Sequence, residues 1–250
     1  MAIDTHTHVF SPLIKYPERE IELINVDTYL DYVINVGLNT KTSESSVLIS
    51  NEHSKFYSAV GIHPLYIEDE NPNKLYKLIT DKVVAIGEIG LDNTKDNFLD
   101  QKKMLVRQIM IANELGLPVI IHSHNCNKEI INIFENIAKP LYGCVFHCFQ
   151  PDFETLTYLE QNNFYISVAG KITLPTAKKS HEVLRTMNKD LLLVETDAPY
   201  MTPYPFEESI NHSCNLHMNI AKIAEVLNMT YEDVETLTTN NAKRLFKKIK

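Results

Sequence analysis

The sequence has no excess of positive charge. Its 250 residues include 24 Lys and Arg against 32 Asp and Glu, which gives a formal net charge of −8. A protein that binds nucleic acid through bulk electrostatics usually presents a basic face, and this composition argues against that mode of binding. An enzyme that engages phosphates through metal ions is still compatible with it, because a bound cation inverts the local field.

Long apolar runs and paired cysteine clusters are also absent. No apolar run approaches the ~18 residues of a membrane span, and no basic leader followed by an apolar segment opens the chain. We therefore expect a cytoplasmic protein with no membrane contact and no obligatory protein partner. The four cysteines are too few for a disulfide scaffold and are expected to be reduced thiols. Because Cys144 and Cys148 flank His147, a Cys/His metal site is the alternative.

No low-complexity tract or Gly/Ser linker marks a domain boundary, so that we expect residues 1–250 to form one domain. Short apolar runs alternate with helical patterns, which predicts βα units and a parallel sheet. The runs are apolar nearly throughout, as in strands that are buried on both faces. Seven strands are assigned: Ala2–Asp4, Tyr57–Ile62, Val83–Ile86, Val119–Ile121, Cys144–Phe146, Phe164–Val168 and Leu191–Val194.

An eighth strand is expected between residues 20 and 50, where Ile21–Val26, Tyr32–Val36 and Val47–Ser50 all qualify. Eight strands with intervening helices favour an α/β fold of the (β/α)₈ TIM-barrel type, for which this chain length is typical. Two smaller domains are the alternative. Helices are predicted over 101–115, 129–138, 153–162 and 219–227, and from a Thr230 cap to Phe246.

Histidines and carboxylates stand at the ends of these apolar runs. His6 and His8 are two residues apart, so that both rings point to the same side of a strand. A pair of surface or core histidines would explain these two alone. However, four further runs end in a residue that can bind a metal, and the C-terminal strand ends of a barrel converge on the face that carries the active site. Those four residues are Glu88, His122, His147 and Asp197.

Six such donors favour two divalent ions over one, with Glu88 as the bridging carboxylate. Mixed His and carboxylate ligands suit zinc, manganese or related ions. Glu195 is expected either to face the site or, preferably, to orient a ligand by accepting a hydrogen bond. His63 closes another apolar run and is interpreted as a substrate contact, with a capping role as the alternative. Lys171 is the basic residue that we expect near the mouth of the site.

Eight short motifs, each present once, follow one another along nearly the whole chain. They are IDTHTH at 3–8, AVGIHP at 59–64, AIGEIGLD at 85–92, LPVIIHSH at 117–124, FHCF at 146–149, GKIT at 170–173, LLLVETDAPYMTP at 191–203 and TTNNAKRLF at 238–246. Together they resemble the TatD family of metal-dependent deoxyribonucleases, a branch of the amidohydrolase-like barrels. IGEIGLD and ETDAPY are the most specific of these motifs.

The resemblance implies an (α/β)₈ barrel that holds two divalent ions, Mg, Mn or Zn. It implies hydrolysis of phosphodiester bonds in DNA, often as a 3′-to-5′ exonuclease, and it makes His63 a phosphate contact. One ion is assigned to His6, His8, Glu88 and Asp197, and the other to Glu88, His122 and His147.

Three segments depart from the family pattern. Ser123-His124-Asn125 stands where the family usually has Ser-Arg-Asp, so that His124 replaces a permanent cation as the expected substrate contact. Gln150-Pro151 replaces a frequent Ser-Gly, and Glu207–Leu216 takes the place of an Arg-Asn-Glu-Pro run. The metal ligands are kept while the substrate-facing loops differ, which supports metal-dependent hydrolysis more strongly than it supports DNA as the substrate.

Three functions are compatible with these residues. The favoured one is a DNA-directed phosphodiesterase in which two metals activate a water, with Glu88 and Asp197 as catalytic carboxylates and Asp197 as the general base. The second uses the same machinery on a small ester, lactone, amide or phosphate, and the altered loops keep it open. The third is a catalytically silent metal-binding protein, against which the complete ligand set argues.

Overall fold

The computed structural model describes residues 1–9 and 19–250. Its eight strands are parallel and pair in chain order, from β1 with β2 to β7 with β8. Helical segments connect the successive strands, so that the predicted (β/α)₈ barrel is confirmed. The strands are β1 Ala2–Thr7, β2 Leu30–Val36, β3 Phe56–Val60, β4 Val83–Asp92, β5 Val119–His124, β6 Cys144–Phe146, β7 Tyr165–Val168 and β8 Leu192–Val194.

The helices of the described residues surround this sheet. The α-helices are α1 Arg19–Tyr29, α2 Thr40–Glu52, α3 Phe98–Leu115, α4 Asn127–Asn136, α5 Phe153–Gln161, α6 Lys178–Thr186, α7 Leu216–Leu227 and α8 Tyr231–Leu245. Between β3 and β4 the chain forms the 3₁₀ helices Pro64–Tyr66 and Pro72–Leu78 in place of an α-helix. Further 3₁₀ helices span Gly170–Thr173, Lys189–Leu191 and Ser213–Asn215.

The region between residues 20 and 50 contains one strand, which includes the candidate Tyr32–Val36. The other two candidates lie in α1 and α2. Asn39 is the N-cap of helix α2: its side chain accepts a hydrogen bond from Thr42 N at 3.0 Å, and Thr42 Oγ1 accepts one from Asn39 N at 2.8 Å. This capping box starts the helix. Much of its buried face is serine, which hides the helical period from an analysis of apolar spacing.

The barrel closes where the end of β1 meets the segment that follows β8. His8 N donates to Ala198 O at 2.7 Å, and Asp197 N donates to His6 O at 2.9 Å. Thr7 Oγ1 also donates to Ala198 O at 3.1 Å, and the two residues form a parallel bridge. Closure of the barrel therefore places His6 and His8 beside Asp197.

A close approach of β4 and β5 brings two other strand ends together. All ten residues of β4 are buried, and Gly90 pairs with His122 across the strands. A Cβ at Gly90 would lie 1.9 Å from His122 O. Glycine is therefore required there, because a side chain would push the strand of Glu88 away from the strand of His122.

No helix of residues 1–9 and 19–250 has the length and apolar character needed to cross a bilayer. The four cysteines are free thiols. The groups of side chains that could hold an ion in these same residues contain only histidines and carboxylates. The Cys/His alternative for residues 144–148 therefore has no support in the structure.

Candidate metal centre

A cavity of about 360 Å³ opens at the C-terminal ends of the strands. Its volume is in the range of small-molecule sites. The predicted donors that line it are His8, Glu88, His122, His147 and Asp197. His6 lies below them and is fully buried. The fold thus brings all six predicted donors together from strand ends that are far apart in the sequence.

The first donor cluster consists of His6, His8, Glu88 and Asp197. The Nε2 atoms of His6 and His8 are 3.0 Å apart. Glu88 Oε2 lies 3.5 Å from the first and 3.4 Å from the second, and Asp197 Oδ1 lies 3.9 Å and 3.5 Å from them. Donors at zinc-ligand distances in a tetrahedron are about 3.3 Å apart. These spacings therefore fit one divalent ion.

The second donor cluster surrounds the other oxygen of Glu88. Glu88 Oε1 lies 2.9 Å from His122 Nδ1 and 2.7 Å from His147 Nε2. His63 Nε2 is 3.5 Å from the same oxygen, so that His63 joins the two histidines predicted here. One carboxylate thus faces two donor clusters through its two oxygens, which is the arrangement of a bridging ligand.

The charges of this cluster are strongly coupled. Burial alone would raise the pKa of Glu88, but the charge of His147 and the hydrogen bonds of His122 and His147 hold that pKa well below its ordinary value. Burial likewise opposes the charged form of His147, yet Glu88 and Glu195 raise its pKa well above the ordinary range. The buried carboxylate therefore requires adjacent positive charge, which either a protonated imidazole or a divalent cation provides.

Two of the histidines are oriented through their second ring nitrogen. His8 Nδ1 donates to Val36 O at 2.9 Å, which leaves a lone pair on Nε2 towards the first cluster. His122 Nε2 lies 3.0 Å from Asp92 Oδ2, which directs Nδ1 towards Glu88. Partners of this kind fix the tautomer of a metal-binding histidine. Asp92 was not among the predicted site residues, although it ends the IGEIGLD motif.

Glu195 lies behind His147 and outside the cavity. Its Oε1 accepts from Cys148 N at 2.7 Å and its Oε2 accepts from Ser167 Oγ at 2.6 Å. The same Oε1 is 3.5 Å from His147 Nδ1, a distance at the limit of a hydrogen bond. Glu195 is 1% exposed. This placement matches the orienting position expected for Glu195 and not direct contact with the cavity.

Asp4 is a second buried carboxyl that sequence reasoning did not select. It accepts from Thr196 N at 2.9 Å and Thr196 Oγ1 at 2.5 Å, and from His6 N at 3.3 Å. Burial raises the pKa of Asp4 to about 8, although these hydrogen bonds oppose the shift. Asp4 thus ties the strand of His6 to the segment of Asp197. Its position two residues before His6, on the same side of the strand, was the available signal.

The three predicted substrate contacts line the cavity at different depths. His63 is buried, and its Nδ1 accepts from Leu65 N at 3.2 Å, so that it caps a 3₁₀ helix as well as facing Glu88. Burial lowers the pKa of His63 to about 3, which keeps the ring neutral. His124 and Lys171 lie higher, among the side chains of the wall.

Comparison with known proteins decides the family. The sequence model of the family described as TatD related DNase matches residues 3–247. The chain belongs to the TatD family. The TatD relatives include the uncharacterized metal-dependent hydrolase YabD of Bacillus subtilis, which is 32% identical over 99% of both chains. The uncharacterized metal-dependent hydrolase TatD of Mycobacterium tuberculosis is 29% identical over 98% of this chain and 97% of its own.

Solved TatD structures have the same fold. The crystal structure of YjjV, a TatD homolog from Escherichia coli K12, has a TM-score of 0.89 at 27% identity and covers 98% of both chains. A TatD family hydrolase from Entamoeba histolytica has a TM-score of 0.84 at 19% identity, over 98% of this chain and 97% of its own. This TatD chain is therefore a metal-dependent hydrolase on the scaffold of its family.

Proposed function

We propose that this TatD protein hydrolyses phosphodiester bonds in DNA with two divalent cations, zinc, manganese or magnesium. One observation carries the proposal: Glu88 is shared by two donor clusters, with Oε2 facing His6 and His8 and Oε1 facing His122 and His147. Two-metal sites with cations about 3.5–4 Å apart occur in nucleases, polymerases and phosphatases, and also in aminopeptidases, so that the shared carboxylate supports two-metal hydrolysis. The family description, TatD related DNase, supplies the preference for DNA.

The cations would supply Lewis-acid chemistry, which lowers the pKa of a water and offsets the negative charge of the transition state. His6, His8 and Asp197 would hold one cation, His122 and His147 the other, and Glu88 both. Without cations, the carboxylates of Glu88 and Asp197 would repel a phosphate.

Asp197 is the proposed general base. Its side chain stands at the edge of the first cluster, lines the cavity and is 5% exposed. Burial raises its pKa, although His6, His147 and His8 act in the opposite direction. A carboxylate with a raised pKa is a better proton acceptor than an ordinary one, and Asp197 lines the cavity that a substrate and its attacking water would share.

A substrate panel with the metal-reconstituted protein tests the proposal. The protein is stripped with a chelator, reloaded with zinc, manganese or magnesium, and assayed on single-stranded DNA, RNA, p-nitrophenyl phosphodiesters and lactones. We expect DNA cleavage that requires metal, and elemental analysis that finds more than one equivalent at saturation. The variant Glu88→Gln should lose both, whereas Glu208→Gln, an exposed carboxylate, should keep both. Hydrolysis of lactones with inert DNA would contradict the proposal.

A small neutral ester, lactone or amide is the second candidate substrate. The observation in its favour is the scarcity of cations in the cavity, where Lys171 is the single lysine or arginine among the described residues that line it. The same panel separates the two substrates. A catalytically silent metal-binding protein is the third candidate, and it would bind the metals but turn over nothing in the panel.

A further inference from the structure

Tyr66 and Tyr200 line the solvent-exposed edge of the cavity, which we call the rim, and about half of each side chain is exposed. Tyr66 is 41% exposed and Tyr200 is 50% exposed, although both line the cavity. Within residues 1–9 and 19–250, neither hydroxyl has a hydrogen-bond partner. The hydroxyl of a buried tyrosine usually finds a hydrogen-bond partner. These two rings are only partly buried, and their hydroxyls are available to a ligand.

The backbone below each ring is firmly held. Tyr66 N donates to His63 O at 2.9 Å, and Tyr200 N donates to Asp197 O at 2.8 Å. The fully buried Asn211 donates to Tyr200 O at 2.7 Å. Both tyrosines therefore belong to turns that are held by backbone hydrogen bonds. A ligand that contacts the rings does not have to supply the free energy of ordering a loop.

Both rings also adjoin the donor clusters. The ring centroid of Tyr66 is 5.8 Å from that of His63, and the ring centroid of Tyr200 is 6.4 Å from that of His8. Burial raises the pKa of Tyr200, and so does the nearby phenol of Tyr66. The two phenols therefore line the same cavity as the donors of the candidate metal centre.

The rest of the wall offers little for an anion. Lys171 is its single lysine or arginine among the described residues, and Leu38, Leu65 and Met201 add apolar surface. Ser123, His124 and Gln150 offer hydrogen bonds, and flat apolar contact with the remaining side chains can hold the part of a ligand that extends beyond the phosphate. Nucleobases provide such contact, because every base has a π-face that stacks on aromatic side chains.

We infer that Tyr66 and Tyr200 form an aromatic clamp that stacks on one nucleobase of the substrate, beside the metal centre. The inference rests on the proposed DNA hydrolysis and narrows it to unpaired nucleotides, since a base inside a duplex must be extruded before it can enter such a clamp. The clamp is tolerant of base identity, because stacking carries no hydrogen-bond code.

Paired ligands with and without a base test the clamp by binding alone. Titration calorimetry on the zinc-loaded protein compares thymidine 5′-monophosphate with deoxyribose 5-phosphate, which have the same phosphate and sugar. We expect the nucleotide to bind about 5- to 150-fold more tightly, the range for loss of one base–aromatic stack. In Tyr66→Leu/Tyr200→Leu this ratio should fall to about one, whereas Tyr66→Phe/Tyr200→Phe should keep it.

The variant Tyr142→Leu is the matched control, because Tyr142 is 49% exposed and does not line the cavity. It should leave the ratio at the wild-type value. Zinc content and melting temperature show that each variant is folded. A second readout is the fluorescence of 2-aminopurine 5′-monophosphate, which stacking quenches. The chain has no tryptophan to interfere.

The outcomes separate the clamp from the proposed function. Equal binding of the two ligands by the wild type, or a ratio that survives in the double Leu variant, would overturn the clamp even if DNA is cleaved. A ratio that depends on the two rings supports the clamp, and it does so even if the substrate panel shows no cleavage of DNA. In that case the site recognises a nucleotide but catalyses a different hydrolysis.

Discussion

The side chains on the floor of the cavity are mostly buried and hydrogen-bonded, whereas those on its rim, which are His124, Lys171, Tyr66 and Tyr200, are more exposed and form few bonds. On the floor, His8 and His122 each bond a second partner through the ring nitrogen that faces away from the site. On the rim, the side chains of His124, Lys171 and Tyr200 form no hydrogen bond or ion pair with the described residues.

This contrast separates two properties of the protein. We expect the floor to determine which ions are bound and which reaction is catalysed, because hydrogen bonds from behind orient its donors. We expect the rim to determine which molecule enters. The same division appears in the sequence, where the donors are kept and residues 123–125 and 207–216 depart from the family pattern. Substitutions on the floor should therefore have larger effects than substitutions on the rim.

After loss of the shared Glu88, the largest effect is expected for Asp197→Asn. The shape of the side chain is nearly unchanged, so that the fold should persist, but the proton acceptor is lost and one ion is weakened. We expect the turnover number to fall by about 10²–10⁴, the range for general-base catalysis. The measurement is the initial rate on a short single-stranded oligonucleotide at saturating metal. Turnover near the wild-type rate would rule out the assigned role of Asp197.

Glu195→Gln should have the next largest effect, although Glu195 is outside the cavity. It removes the charge behind His147 and leaves a side chain of the same size. Loss of such an orienting partner typically costs about 10- to 100-fold in metal affinity or activity. Glu207→Gln, an exposed carboxylate near the rim, is the control and should change zinc affinity little. Equal zinc affinities in the two variants would mean that Glu195 does not contribute to metal binding by orienting His147.

The pH dependence should differ in sign between metal-free and metal-loaded protein. The raised pKa of His147 stabilises the metal-free fold fully below about pH 6.5, the reference value, and this stability is lost as pH rises through the raised pKa. Burial raises the pKa of Asp4 to about 8. The stability that the neutral Asp4 carboxyl gives the fold is therefore also lost as pH rises, between about pH 4 and 8. Metal binding needs the neutral ring of His147, so that metal affinity should rise over the same window.

Thermal denaturation from pH 6 to 9, with chelator and with zinc, measures both trends. We expect the melting temperature of the chelated protein to fall as pH rises. The difference in melting temperature between the zinc-loaded and the chelated protein should increase over the same range. Titration calorimetry in buffers of different ionisation enthalpy should detect protons released on zinc binding. Zinc binding without proton release near neutral pH would show that His147 is not protonated in the metal-free protein.

The smallest effect is expected on the rim, for His124→Arg. A permanent cation here should lower the Michaelis constant for DNA at neutral pH by up to about fivefold, because exposed charge pairs contribute little. The gain should shrink at high salt. Steady-state kinetics at two pH values provides the measurement. An identical Michaelis constant in both proteins at both pH values would mean that position 124 takes no part in substrate binding.

The barrel and the candidate donors could both be predicted from the sequence, because both predictions rest on the positions of buried apolar runs. The donors lie near the C-terminal ends of buried apolar runs, and parallel strand ends converge in a barrel. Strand β2 was ambiguous because the buried face of α2 is rich in serine. Asp92 acts on the site through His122, a contact that requires the folded register of β4 and β5.

The rim could not be predicted in the same way. The position of Tyr200 depends on a hydrogen bond from Asn211, which lies in a segment without regular period. The position of Tyr66 depends on a 3₁₀ turn capped by His63. Loops carry no periodicity that an analysis of spacing can use, so that their side chains are located only once the fold is known.

Closure of the barrel has a consequence for biosynthesis. Thr7 and Ala198, which join at the seam, are 191 residues apart in the chain, and the first donor cluster combines histidines beside one with a carboxylate beside the other. A growing polypeptide on the ribosome therefore cannot assemble the first donor cluster until Asp197 has been translated. A chain that terminates before Asp197 would carry His6 and His8 without the carboxylate that completes the cluster, so that we expect binding of an ion there to require synthesis past the last strand.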